Sequence, residues 1–263
     1  HTRKQSYEIA LACALDAGAH GQASAETGFT TIDLPTADGI KARADVYSAK
    51  NDSAALVLLF HQAGWSRGEY REIAPKLVEL GYRVMAVDQR SGGAINGVPN
   101  ETHRRATKKR LSRSYLDAYF DLEAALDYAR KNLKAERVIV WGSSYSASLV
   151  FRLASKRRDE VAAVVAFSPG EYFEKQKGPV YVWSFAQQVK QPLFVTSSKK
   201  ERARVKPIFD ASPAKKKILF TPASKGQHGS RALWSKWPDH DVYWAAVNGF
   251  LEEYAPPVVA PPN

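Results

Sequence analysis

The stretch Arg137-Val138-Ile139-Val140-Trp141-Gly142-Ser143-Ser144-Tyr145-Ser146-Ala147-Ser148-Leu149-Val150-Phe151-Arg152-Leu153-Ala154 decides how this chain folds. Residues 137–141 form a short apolar run, as in a strand buried on both faces. Residues 147–154 read as a helix. Gly142 and Ser146 are small and stand two positions to either side of Ser144. A strand that turns sharply into a helix packs closely on its neighbours, so the turn needs small residues, and it lifts the central side chain clear. Ser144 is thus the first candidate for a reactive group.

The pattern repeats outward. Residues 29–34 and 40–47 read as strands joined by the turn Ala37-Asp38-Gly39, an N-terminal hairpin. Strands are predicted at 56–60, 84–87, 161–167, 193–196 and 217–221, those at 56–60 and 84–87 buried on both faces. Helical spacing appears at 69–80, 115–132, 205–210 and 242–254. Residues 88–112 are rich in glycine and charge and read as a long loop. Strands alternating with helices predict an α/β fold, with a mostly parallel sheet of about eight strands and helices on both faces. Chemistry in such sheets sits at the carboxyl ends of the strands, where the loops after 60, 141, 196 and 221 gather.

The chain has 263 residues, of which 44% are hydrophobic, enough for one α/β domain with a sizeable core. Its single cysteine, Cys13, excludes an internal disulfide framework and a cysteine-built zinc site. The net charge of +11 is spread over short clusters such as Lys108-Lys109-Arg110 and Lys215-Lys216-Lys217. No stacking aromatics are interleaved with them, so they read as a basic surface with no specific nucleic-acid partner. No apolar run reaches the roughly 18–20 residues of a membrane span. Residues 1–25 combine a basic start, the apolar segment 9–15 and Ala23-Ser24-Ala25. They carry two readings: a signal peptide, placing the mature protein in the periplasm or outside the cell, or a disordered N-terminal segment of a cytoplasmic one. Residues 26–255 form the domain, and the Pro-rich 256–263 is expected to be a loose tail.

A serine hydroxyl attacks a carbonyl only with a general base beside it and a carboxylate to fix the base's tautomer. His228 follows the last strand in Gly226-Gln227-His228-Gly229, where it can reach across the sheet edge to Ser144. Two carboxylates lie between them in loops after strands: Glu201, after the penultimate strand, and Glu171, after the strand before it. Glu201 is preferred and Glu171 is the alternative acid. An oxyanion hole needs two backbone N–H groups. Tyr145, just after the serine, supplies one. The loop His61-Gln62-Ala63-Gly64 supplies the other, from Gln62 or Ala63, with Gln62 preferred.

On these residues, in the order nucleophile, acid, base, the chain resembles the α/β-hydrolase superfamily, and within it the small dienelactone-hydrolase-like serine hydrolases. The resemblance covers roughly residues 28–255. It departs at Ser146, where glycine is usual, and in using glutamate where aspartate is commoner. In such proteins the acid follows a Pro-led strand at about the spacing from Pro192 to Glu201, which favours Glu201. The resemblance implies a serine hydrolase that cleaves carboxylic esters through an acyl-enzyme, on a small-molecule substrate, with no cofactor and no metal. About two dozen residues separate the strands 161–167 and 193–196, so no large cap domain is expected between them. Two further readings are a serine peptidase on the same scaffold and a non-catalytic binding protein whose basic surface holds an anionic partner.

Overall fold

The computed structural model describes residues 28–258; the readings of residues 1–25 and of 259–263 lie outside them. The chain opens with the antiparallel hairpin β1 (Phe29–Pro35) and β2 (Lys41–Tyr47), with Ile32 opposite Ala44. β3 (Leu56–Phe60) is buried along its whole length. A one-turn 3-10 helix (Arg67–Tyr70), α1 (Ile73–Glu79) and β4 (Arg83–Val87) follow. A small ribbon of β5 (Ala94–Ile95) and β6 (Val98–Pro99) leads to α2 (Glu101–Lys108) and α3 (Tyr119–Lys131). Next come β7 (Val138–Ser143), α4 (Tyr145–Lys156) and β8 (Ala163–Phe167). Two short helices, α5 (Glu174–Lys177) and α6 (Tyr181–Ala186), precede β9 (Leu193–Thr196). The chain continues through α7 (Arg202–Ala211) and β10 (Lys217–Phe220) to α8 (His240–Tyr254).

Eight strands form one sheet in the order β1-β2-β4-β3-β7-β8-β9-β10. Only the β1/β2 and β2/β4 pairs are antiparallel. Side chains alternate across the sheet, and each face is covered. Val138 and Val140 of β7 pack with Leu122 and Leu126 of α3, Leu149 of α4 and Val205 of α7. Ile139 and Trp141 point the other way, into a core with Leu77 of α1 and Val247 and Phe250 of α8. The runs 56–60 and 84–87 are buried along their length, whereas β10, at the sheet edge, is half-buried, and the strand ends collect the loops of the site.

The structure departs from the expected elements in three places. The helix expected over 69–80 splits, because Pro75 has no N–H to give and sits in the first turn of α1. The expected long loop contains α2. Its charged sequence buries only Thr102 and Ala106, so its helix pattern is faint. Its start is held by its own cap, Asn100, which accepts the His103 N–H at 2.8 Å, and from outside by Asp88, which accepts the Glu101 N–H at 2.8 Å. The third is the crossover from β8 to β9, which carries α5 and α6, of four and six residues; no large cap is inserted there. The expected tail begins anchored, since Pro257 O accepts the Ala55 N–H and Pro256 O accepts from Arg137. Among the described residues no helix is long and apolar enough to cross a membrane.

Candidate active site

The turn at Ser144 has the geometry its small neighbours predict. Ser144 has φ 60° and ψ −122°, a left-handed backbone that a non-glycine residue adopts only under constraint. The constraint is close packing. A Cβ on Gly142 would stand 2.4 Å from Ser146 O and 2.5 Å from Ala147 N, so only glycine fits where β7 passes under α4. Ser146, in the position where glycine is usual, uses its hydroxyl to donate to His61 O at 2.6 Å. The departure therefore ties the turn to the loop after β3. Ser144 itself is 6% exposed.

His228 reaches Ser144 from the loop after β10: its Nε2 lies 2.7 Å from Ser144 Oγ. Its Nδ1 lies 2.5 Å from Glu201 Oε1. The other Glu201 oxygen accepts from Ser198 Oγ at 2.6 Å, Ser198 N–H at 3.2 Å and Ser168 Oγ at 3.1 Å. Burial opposes ionising Glu201, but the bonds to His228, Ser198 and Ser168 outweigh it and bring its pKa down to about 2. Ser168 Oγ also accepts the Gly229 N–H at 3.0 Å, so it joins the acid loop to the histidine loop. Gly229, at φ 71°, lies so close that a Cβ would sit 2.5 Å from Ser143 Oγ.

Glu171 is elsewhere engaged. Its carboxylate accepts the N–H groups of Val182 and Trp183, each at 2.8 Å, at the start of α6. The two carboxylates that the sequence left open are thus separated by what they bond.

In the loop after β3, Gln62 is not the free donor expected. Its N–H donates to Glu69 Oε2 at 2.8 Å. The next N–H, that of Ala63, has no acceptor among the described residues. His61 is fully buried, and burial lowers its pKa to about 4, so it is neutral at pH 7. Its Nε2 accepts the Gln89 N–H at 2.9 Å, which leaves the proton on Nδ1 to donate to Gln62 O at 2.7 Å. A trans peptide points its C=O and N–H in opposite directions. Holding the Gln62 carbonyl therefore fixes the direction of the Ala63 N–H. Tyr145 opens α4, where first-turn N–H groups lack partners within the helix.

A cavity of about 610 Å³ opens beside Glu201, walled by Pro169, Tyr172, Val180, Trp183, Val205 and Ile208. Tyr172 and Trp183 line it, whereas Tyr145 and Phe173 belong to the core. Sequence reasoning passed over Ser168, Ser198, Glu69 and the ring of His61. The position of His61, Ser168 and Ser198 just after strands was their only signal, Glu69 in the 3-10 turn gave none, and nothing in the sequence says what each one bonds.

A doubly covered, mostly parallel sheet with a strained serine at the β7–α4 turn and a histidine loop after the last strand defines an α/β-hydrolase. The chain belongs to the serine aminopeptidase S33 family, whose model matches residues 51–233. Similar solved structures include the esterase Pf2001 of Pyrococcus furiosus, 19% identical, with a TM-score of 0.68 over 86% of this chain and 92% of that one. A dienelactone hydrolase of Anabaena variabilis is 16% identical, with a TM-score of 0.65 over 86% of this chain and 97% of that one. Est1E of Butyrivibrio proteoclasticus, with ferulic acid bound, is 16% identical, with a TM-score of 0.67 over 85% of this chain and 98% of that one. No curated protein sequence matches the chain.

Proposed function

We propose that this protein is a serine esterase acting on small carboxylic esters through an acyl-enzyme. The observation that carries the reading is the unbroken line from Ser144 Oγ through the His228 ring to Glu201, at 2.7 and 2.5 Å. His228 Nε2 takes the hydroxyl proton as Ser144 Oγ bonds to the ester carbonyl carbon. Glu201 keeps the other ring proton on Nδ1 and stabilises the imidazolium. The N–H groups of Tyr145 and Ala63 receive the developing oxyanion, Ala63 in place of Gln62 because the Gln62 N–H is spent on Glu69. The imidazolium then protonates the departing alkoxide, leaving Ser144 acylated. Water, deprotonated by His228, attacks the acyl carbon, and the imidazolium returns that proton to Ser144 Oγ as the acid leaves.

The cavity beside Glu201 falls within the ~300–1,000 Å³ of small-molecule sites, and its mostly apolar walls, interrupted by Glu171, Glu174 and Arg204, suit an apolar group on the ester. The ferulic acid held by Est1E is an aromatic acid of that kind. A burst of p-nitrophenol from p-nitrophenyl acetate, lost in Ser144→Ala, is the expected result. A Ser144→Ala variant with unchanged turnover would refute the reading.

The family's description as serine aminopeptidases favours a second reading, cleavage of an N-terminal peptide bond at the same serine. Release of p-nitroaniline from aminoacyl p-nitroanilides, faster than p-nitrophenol from matched esters, would select it. A carboxylate 2.5 Å from His228 Nδ1 weighs against the non-catalytic reading.

A further inference from the structure

Glu69 is a wholly buried carboxylate that the reaction above does not use. It lies in the 3-10 turn before α1, yet its contacts run to the three loops that meet at Ser144. Oε2 accepts the Gln62 N–H at 2.8 Å, and Oε1 accepts from Ser143 Oγ at 2.7 Å. Ser143 Oγ in turn accepts the Ser230 N–H at 2.9 Å, which brings in the histidine loop. The residue's own carbonyl accepts the Trp234 indole N–H at 2.9 Å. Burying a carboxylate is costly, and a site that retains one places two acceptor oxygens where an apolar side chain would place none. Arg231 is the charged group that faces it, and Tyr70 is its titratable neighbour.

The Gln62 residue is thereby gripped from both ends, by Glu69 at its N–H and by His61 at its carbonyl. Without Glu69, the Gln62 N–H would itself be a free donor at the mouth of the loop, and the residue could turn about its own φ and ψ. The geometry points to Glu69 as a positioning residue that sets the oxyanion loop, so that the Ala63 N–H and not the Gln62 N–H faces the reacting carbonyl. It acts through the backbone and touches no substrate. This rests on the esterase reading and adds to it which group decides the oxyanion donor.

The role needs an acceptor at that place and no net charge. In Glu69→Gln the amide oxygen can face the Gln62 N–H while its NH2 group donates to Ser143 Oγ. In Glu69→Met the shape is kept and both acceptors go. With p-nitrophenyl acetate, we expect Glu69→Gln to retain kcat within about fivefold. We expect Glu69→Met to lose roughly ten- to a hundredfold in kcat, short of deleting an oxyanion donor outright, with KM within about twofold. Affinity for a trifluoromethyl ketone, which forms a tetrahedral adduct at the serine, should fall in parallel with kcat. Affinity for acetate, a ground-state product, should not. Should Glu69→Met fail to fold, Glu69→Asp withdraws the acceptors by one methylene while keeping the charge, and the same split is expected. The proposal is overturned if the folded Met or Asp variant keeps wild-type kcat, or if kcat falls while ketone affinity holds. Wild-type protein without any turnover or fluorophosphonate labelling would instead overturn the esterase reading beneath it.

Discussion

Replacing Glu201 with glutamine changes one atom and should stop the reaction. The reason lies in the donors around the carboxylate. Ser198 Oγ, Ser198 N–H and Ser168 Oγ all donate to Oε2, at 2.6, 3.2 and 3.1 Å. Turning the new NH2 group toward them would oppose it to three donors, so the amide oxygen stays on that side. The NH2 group then faces His228 Nδ1, where Glu201 Oε1 stood at 2.5 Å. Facing a donor, Nδ1 must give up its proton and accept. The ring proton moves to Nε2, the nitrogen 2.7 Å from Ser144 Oγ that has to receive the hydroxyl proton. A wrong tautomer of this kind costs about 10⁴-fold in kcat in the serine-protease triad. We expect a loss of about 10³- to 10⁴-fold here, with KM little changed. Stopped-flow turnover of p-nitrophenyl acetate, with circular dichroism to verify the fold, measures it. A folded Glu201→Gln variant within tenfold of wild type would refute the role of Glu201.

Glu171→Gln should leave that turnover within about twofold and cost roughly 0.5–2 kcal/mol of stability, read by urea unfolding, because Glu171 caps α6 through the Val182 and Trp183 N–H groups. Gly142→Ala should be far more damaging, since its Cβ would overlap backbone atoms at 2.4 and 2.5 Å. The turn must shift by about an ångström, which costs roughly a hundredfold in rate and about 1–3 kcal/mol in stability; an unshifted melting temperature with full activity would contradict the packing described. Burial raises Glu69 to about 7, against the bonds from Ser143 and Gln62 and the charge of Arg231. A raised carboxylate pKa means the folded state holds its proton more tightly than the unfolded one. This contribution is thus present in full below about pH 4.5 and lost as pH rises through about 7, about 3 kcal/mol in all. Urea unfolding from pH 4.5 to 8 should show that fall in wild type and not in Glu69→Gln.

The sheet was readable because β3, β8 and the body of β7 (138–141) are uninterrupted apolar runs, a pattern that survives any arrangement of neighbours. The meeting of Ser144 and His228 was readable too, since Gly142 and Gly229 mark the tight passages that bring them to one edge. What the sequence left open depended on partners distant along the chain. Glu201 and Glu171 are alike in sequence, and only the serines around one and the α6 N–H groups around the other separate them. Gln62 and Ala63 are adjacent, and the choice between them rests on Glu69, seven residues on. α2 escaped notice because its first turn is held by Asp88, from the end of β4.

Ser168 carries a consequence of its own. Its hydroxyl joins Glu201 Oε2 to the Gly229 N–H, so the acid loop and the histidine loop are registered by one oxygen that bypasses the imidazole. Removing the His228 side chain would leave both loops in place around a vacancy of imidazole shape. On one side stands a carboxylate ready to accept an N–H, and on the other a serine hydroxyl ready to give up its proton. With His228 as the proposed base, the framework would be a mould for it, and a free imidazole diffusing in would find both of its partners already set.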